Sequence, residues 1–213
     1  MKQYSPSARA LAISLAMLAG YIDAIGFLLS GGLFVSFMSG NSTRFAVGLA
    51  AGSAVAVLAV TLIASFVAGV VTGSLLAARW PARRKGRALI LVATLLALAA
   101  AFDRAGLTAL LLICMAMAMG CANTVFQRDG DVTIGVTYMT GALVRLGQRL
   151  ADALLGGARW DWLPFLLLWL GLIGGAVAGA LLFARFGAQG LWLAALAAVA
   201  LSLWATRLQA RGG

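Results

Sequence analysis

The chain has 213 residues, 63% of them hydrophobic and 10% charged, with a mean hydropathy of +1.01. Soluble domains average about 45–50% apolar and about 25% charged residues, so the composition belongs to an integral membrane protein. Sixteen Lys and Arg stand against six acids, all Asp, for a formal charge of +10; the bases lie between apolar runs, which fits cytoplasmic loops and argues against a nucleic-acid partner.

The chain has no His. That removes imidazole metal sites, His bases and Ser-His catalysis. Without Glu or a metal-ligand cluster, no base is in sight for a hydroxyl nucleophile, so no enzyme, metal or cofactor is expected. Cys114 and Cys121 lie seven apart in one apolar run, too far along a helix to bond to each other, and read as core residues.

In chain order, a basic tail (1–9) precedes an apolar run (10–29) long enough to span a bilayer at about 1.5 Å per residue. This run mimics a signal peptide, but its length, Asp23 and a later counterpart argue against cleavage. Ser30, Gly31 and Gly32 break the helix. A polar stretch follows at 33–50, then a long apolar helix at 53–78 holding Gly69-x-x-x-Gly73. Residues 79–87 carry five bases and a proline and read as a loop. Helices are expected at 88–102 and 105–126, a polar turn at 127–131, and a second special stretch at 132–155. Trp160 and Trp162 mark an interface. Spans at 163–184, with glycines 171, 175 and 179, and at 188–206 complete the chain.

Residues 35–50 and 136–151 repeat each other. Val35, Met38, Gly40 and Arg44 match Val136, Met139, Gly141 and Arg145; Phe37 answers Tyr138, and Ser39 answers Thr140. The correspondence extends to Gly20 and Asp23 with Gly120 and Asn123, and to Gly69 and Gly73 with Gly175 and Gly179. The chain therefore reads as one membrane domain, 1–213, made of repeats at about 8–103 and 104–208. Such duplication is typical of transporters and channels.

Charge decides the topology. If all eight apolar segments crossed, the 79–87 bases would lie outside, against the positive-inside rule. If 33–50 and 132–155 instead enter and leave on one side, six helices cross. Lys2, Arg9, the 79–87 cluster, Arg128, Arg159, Arg207 and Arg211 then share the cytoplasm, and only Arg104 and Arg185 face out. The expected fold is all-α and polytopic: six transmembrane helices plus two broken, re-entrant segments, built as an inverted internal repeat. Both termini are cytoplasmic, in a bacterial inner membrane.

Asp23 is the one acid deep in a span. It shares a helix face with Ala12, Ala16 and Gly20, so it faces protein or a cavity. It is either half of a fixed Asp–Arg pair or a carboxylate that couples protons or touches a ligand. The run Ser39–Arg44 has no place against lipid, because hydrocarbon offers its polar groups no partner. Two half-helices fit it, the second capped by Ser39 or Asn41, with its positive end favouring an anion or a polar oxygen. The alternative is an interfacial amphipathic helix, and the polar face of 142–152 makes that reading stronger in the second copy. Arg44 is placed to pair with Asp23 or a substrate. The Gly-x-x-x-Gly pairs read as tight packing sites, Met115, Met117 and Met119 as core, and the 79–87 cluster as topogenic charge or a headgroup contact.

At Gly20, Tyr21, Ile22 and Asp23, at GGLFVSFMSGN (31–41) and at TYMTGALVRLG (137–147), the chain resembles the YoaK-type family of bacterial inner-membrane proteins, a domain of unknown function. The resemblance covers nearly the whole chain and implies a polytopic membrane protein of this length. It supplies no substrate or catalytic residue. Ser39 stands where the family often has Thr.

The function expected is transport of a small polar or anionic solute, proton-coupled through Asp23. Ser39, Asn41, Thr43, Arg44, Asn123, Gln127, Thr140 and Arg145 would line a site near the midplane. A passive channel and a structural membrane protein, assembled as a homo-oligomer through its glycine-rich faces, are the alternatives.

Overall fold

The computed structural model describes residues 5–128, 131–132 and 137–211. Among them are eight α-helices: α1 (Pro6–Leu29), α2 (Met38–Ala50), α3 (Val55–Arg79), α4 (Arg84–Arg104), α5 (Thr108–Asn123), α6 (Met139–Leu154), α7 (Leu163–Phe186) and α8 (Leu191–Arg211). The rest of the described secondary structure is short 3-10 turns and a two-residue ladder pairing Gln127 with Val132 and Arg128 with Asp131.

The ends of α1 follow from local chemistry. Pro6 opens it, where a missing N–H costs nothing, and the Ser5 hydroxyl accepts the Ala8 N–H at 3.2 Å. Gly31 (φ 69°) and Gly32 (φ 111°) close it in a backbone region that a side chain would strain. The boundary before α4 differs from expectation. The basic cluster is not all loop: α4 begins at Arg84 and takes Arg84, Lys85 and Arg87 into its first turn. Arg and Lys are good helix formers, and the turn is tied back by Arg79 and Arg87 stacking on Trp80, at 5.5 and 4.2 Å from the ring centre.

Glycines set how the long helices meet. In lipid there is no hydrophobic drive between apolar helices, so close approach and van der Waals contact must supply the packing. Gly171, Gly175 and Gly179 of α7 lie on the backbone of Ile13, Met17 and Tyr21 of α1. Gly69 of α3 lies on Met117 of α5, and Gly73 on Cys121 of α5 and on Thr124 just beyond its end. From the other side, Gly20 meets Leu172 and Ala176, and Gly120 meets Phe66 and Val70. The residue numbers rise together in both pairs, so α1 runs parallel to α7, and α3 to α5. These glycine-rich faces are thus occupied within the chain.

The other pairs are antiparallel. At one end of α4 and α8 the Ser202 hydroxyl donates to Gly86 O at 2.8 Å; at the other the Gln189 amide donates to Asp103 Oδ2 at 2.6 Å. Tyr21 OH donates to Gly190 O at 2.9 Å, and Ser14 shares the same groove with Leu201, which sets α1 against α8. The Cys121 thiol reaches Ala88 O at 3.5 Å, thirteen residues or more from the short α4–α5 turn, so α5 doubles back along α4.

These directions fix the plan. Helices α1, α4 and α7 point one way, and α3, α5 and α8 the other. The start of α1, the α3–α4 turn and the end of α8 share one end of the bundle. The segment holding α2 leaves and returns at the opposite end, and the segment holding α6 leaves and returns at the first. Five helical stretches are long and apolar enough to cross a membrane, the fifth being Leu163–Ala210 with 48 residues. At about 1.5 Å per residue that stretch would reach about 72 Å straight, over twice a ~30 Å hydrocarbon core. Gly187 (φ 57°) breaks it into the opposed helices α7 and α8.

Helices α1 and α5 form the centre, through fully buried Leu11, Leu15, Ile22, Leu111, Met115 and Met119. Cys114 and Cys121 are free and buried there. The rim helices expose apolar side chains instead, Val57, Val60, Val67 and Val71 on α3 and Leu167, Leu170, Ile173 and Val177 on α7. An apolar girdle of this extent is at home in lipid. The protein is an all-α polytopic membrane protein.

Candidate functional site

After α1 the chain turns back on itself. The Ser30 hydroxyl accepts the Leu33 N–H at 2.9 Å and donates to Leu33 O at 2.8 Å. The limb 33–37 then runs beside α1 without forming a helix. Asp23 Oδ1 accepts two of its N–H groups, Val35 at 2.8 Å and Ser36 at 2.9 Å, and the Ser36 hydroxyl bonds the same carboxylate. Asn41, in the first turn of α2, reaches back to Phe34: its Oδ1 accepts the Phe34 N–H at 2.9 Å and its Nδ2 donates to Phe34 O at 2.6 Å. Asn41 is 0% exposed. Buried backbone polar groups must find partners, and here two side chains supply what a helix would have supplied.

This corrects the two-half-helix expectation. One half-helix exists, α2. Its N-cap is Phe37, with no side-chain cap bond, so neither Ser39 nor Asn41 caps it. The descending limb 33–37 is non-helical and bends at Val35 and Ser36, with Asp23 and Asn41 satisfying its backbone.

The second copy has the same anchor in different chemistry. Asn123 ends α5; its Nδ2 donates to Met119 O at 2.9 Å and its Oδ1 accepts the Thr137 hydroxyl at 3.1 Å. Thr137 occupies in the repeat the place of Ser36. Residues 133–136 lie outside the described residues.

The two breaks meet. Where α2 and α6 begin, a cavity of about 330 Å³ is lined by Ser36, Ser39, Thr137 and Thr140, by the thioethers of Met38 and Met139, and by the rings of Phe37, Tyr138 and Phe66. Phe66 is midway along α3, which sets the cavity at mid-depth in the bundle. Asp23 does not line it. The carboxylate borders a second, apolar groove of about 500 Å³ between α1 and α7, with Phe34 and Leu172 on its walls.

The expected site residues therefore divide. Ser39 and Thr140 line the cavity. Asp23 and Asn123 stand outside it, Asp23 bonded to Val35 and Ser36 and Asn123 to Thr137. Asn41 is a buried clasp and does not reach the cavity. Thr43 is exposed, its hydroxyl donating to Ser39 O at 3.3 Å. Arg44 is exposed too, and its guanidinium lies over Gly32, where an added Cβ would sit 3.2 Å from Nη2. Among the described residues no ion pair joins Arg44 to Asp23, because the Asp23 carboxylate is committed to Val35 and Ser36. Arg145 is exposed on α6, and the Gln127 side chain lies outside the described residues. Ser36 and Thr137 were missed; the hydroxyl that pairs Ser39 with Thr140 recurs three residues earlier in both copies.

Against known families, residues 11–204 match the one described as a protein of unknown function, DUF1275. The chain belongs to the DUF1275 family. It is 38% identical over 203 residues to the UPF0700 transmembrane protein RA0705 of Rhizobium meliloti (strain 1021), covering 95% of this chain and 88% of the relative. It is 31% identical over 151 residues to the UPF0700 transmembrane protein YoaK of Bacillus subtilis (strain 168), covering 66% of each. No solved structure matches it. Both relatives are named as transmembrane proteins, in keeping with the apolar girdle. In this DUF1275 chain the candidate site is the hydroxyl-lined cavity, with Asp23 and Asn123 as its anchors.

Proposed function

We propose that this chain is a small-solute membrane transporter, built as an inverted repeat of residues 8–103 and 104–208, with its site in the cavity between the two breaks. The carrying observation is that segments entering from opposite ends of the bundle share one hydroxyl-lined cavity at mid-depth. Irregular backbone at that depth is tolerated where it lines a cavity, and broken segments meeting at the midplane are a common transporter plan. The glycine contacts support the repeat: the α1–α7 packing recurs as α5–α3 at matching residues. Placing the basic 79–87 end in the cytoplasm puts both termini there, in a bacterial inner membrane.

Proton coupling runs through Asp23 in this reading. An ionised carboxylate accepts stronger, charge-assisted hydrogen bonds than a neutral one. A proton on Asp23 weakens its hold on Val35 and Ser36 and loosens the limb that carries Ser36 to Ser39. Asn123 takes no proton, so its bond to Thr137 does not respond to pH. Reconstitution in liposomes with an imposed pH gradient tests this: flux should follow the gradient in the wild type and ignore it in Asp23→Asn. Flux indifferent to both removes the coupling. That Asp23 stands outside the cavity favours a second reading, a passive channel through the same path, whose fast, unsaturated flux would ignore Asp23→Asn.

A further inference from the structure

We infer that the cavity between the breaks takes an uncharged solute, one with hydroxyl or amide groups on one side and an apolar face on the other. This rests on the transport reading for its purpose but not for its chemistry. Sequence alone suggested a polar or anionic solute, held by Arg44 and Arg145. Neither lines the cavity. No Asp, Lys or Arg does among the described residues. The nearest carboxylate has its Oδ1 filled by two backbone N–H groups, and the Arg44 guanidinium sits over Gly32. Ser36 and Thr137 are buried in the cavity floor, while Ser39, Thr140, Phe37 and Tyr138 are exposed at its mouth. A charge drawn down to that floor at mid-depth sheds its hydration without a partner, which costs far more than an unpaired hydroxyl. An anion or cation here would have no counter-charge to meet.

The polar groups on offer are hydroxyls. The Ser36 and Thr137 oxygens already bond Asp23 and Asn123 and keep only spare acceptor capacity. Ser39 and Thr140 sit at equivalent places in the two copies, and no hydrogen bond of either side-chain hydroxyl is found among the described residues, so both can donate and accept toward a ligand. The facing walls are aromatic rings and thioethers, which give dispersion contact and no charge. A volume of about 330 Å³ is at the small end of the ~300–1,000 Å³ range of ligand pockets.

The test needs no turnover. Ser39→Cys and Thr140→Cys are made singly, with Ala82→Cys, in the exposed α3–α4 turn, as the aqueous reference. Each is labelled in native membranes with three methanethiosulfonates: methyl (neutral), sulfonatoethyl (anionic) and trimethylammonioethyl (cationic). The neutral-to-charged rate ratio at S39C and T140C should exceed that at A82C by tenfold or more. Equal ratios at all three positions, or faster labelling by either charged reagent in the cavity, overturn the inference. The two cavity variants are independent, so loss of fold in one leaves the other to report. A charge-selective cavity in a protein that moves no solute would refute transport alone; a charge-tolerant cavity would refute the uncharged ligand alone.

Discussion

Asp23 on α1 and Asn123 on α5 hold equivalent places, and each anchors the break that follows its helix. Asp23 Oδ1 takes the Val35 and Ser36 N–H groups, and Asn123 Oδ1 takes the Thr137 hydroxyl. One anchor carries an ionisable group and the other does not. The halves differ here, as they do at the Asn41 clasp, whose counterpart is Ala142.

Replacing Asp23 separates its two roles. In Asp23→Ala the Val35 and Ser36 N–H groups lose their acceptor, at about 1–3 kcal/mol for each buried donor. In Asp23→Asn the amide oxygen can still accept, and only the charge assistance goes. Thermal unfolding in detergent should show D23A clearly below wild type and D23N close to it. Equal loss in both would mean that the charge, not the hydrogen bonds, holds the limb.

Asn41 is a clasp rather than a ligand. Asn41→Ala removes a fully buried side chain and orphans the N–H and C=O of half-buried Phe34, which should cost about 2–6 kcal/mol by the same arithmetic. Limited proteolysis within 30–37 should speed up in step. Asn41→Asp would set a buried carboxylate against Phe34 O and should lose at least as much as Asn41→Ala.

Neighbouring glycines on α7 should respond in opposite ways. A Cβ on Gly175 would strike the backbone of Met17, whereas one on Gly174 meets nothing within 4 Å. Gly175→Ala should lose about 1–3 kcal/mol as α1 and α7 are forced apart. Gly174→Ala should be neutral or gain up to about 1 kcal/mol of helix propensity. Midpoints of unfolding for the pair check this, and Gly69→Ala should follow G175A because it faces Met117 in the same way.

Helix directions predict sidedness. Cysteines at Ala82 and Gly156 should label from the cytoplasm, and those at Gly52 and Gly106 from the other side, with an impermeant thiol reagent on intact cells and inverted vesicles. Labelling of Gly52 and Ala82 from the same side would break the six-span plan.

Much of the architecture was legible because it follows from periodicity, glycine and charge. The long apolar helices, the glycine packing sites and the turn at Gly31 and Gly32 all rest on residue types with few alternatives. The interior of the break was not legible. Segment length and the lack of partners in hydrocarbon suggest a half-helix before Ser39, but Asp23, twelve and thirteen residues from the N–H groups it binds, and Asn41, seven from its own, satisfy that limb without a helix. Arg44 drew attention as a charge at depth, yet α2 turns it outward over Gly32. Ser36 and Thr137 carry no special signal except their agreement with each other across the repeat.

The most direct test of a shared cavity that carries solute is a reversible lock across it. The double variant S39C/T140C is reconstituted, and flux of uncharged solutes such as propane-1,2-diol is followed by stopped-flow light scattering before cross-linking with a short bifunctional methanethiosulfonate, after it, and after reduction. The account predicts protein-dependent flux that stops when the two sites are bridged and returns with dithiothreitol. Failure of the two positions to cross-link, or flux that continues through a formed cross-link, would contradict it.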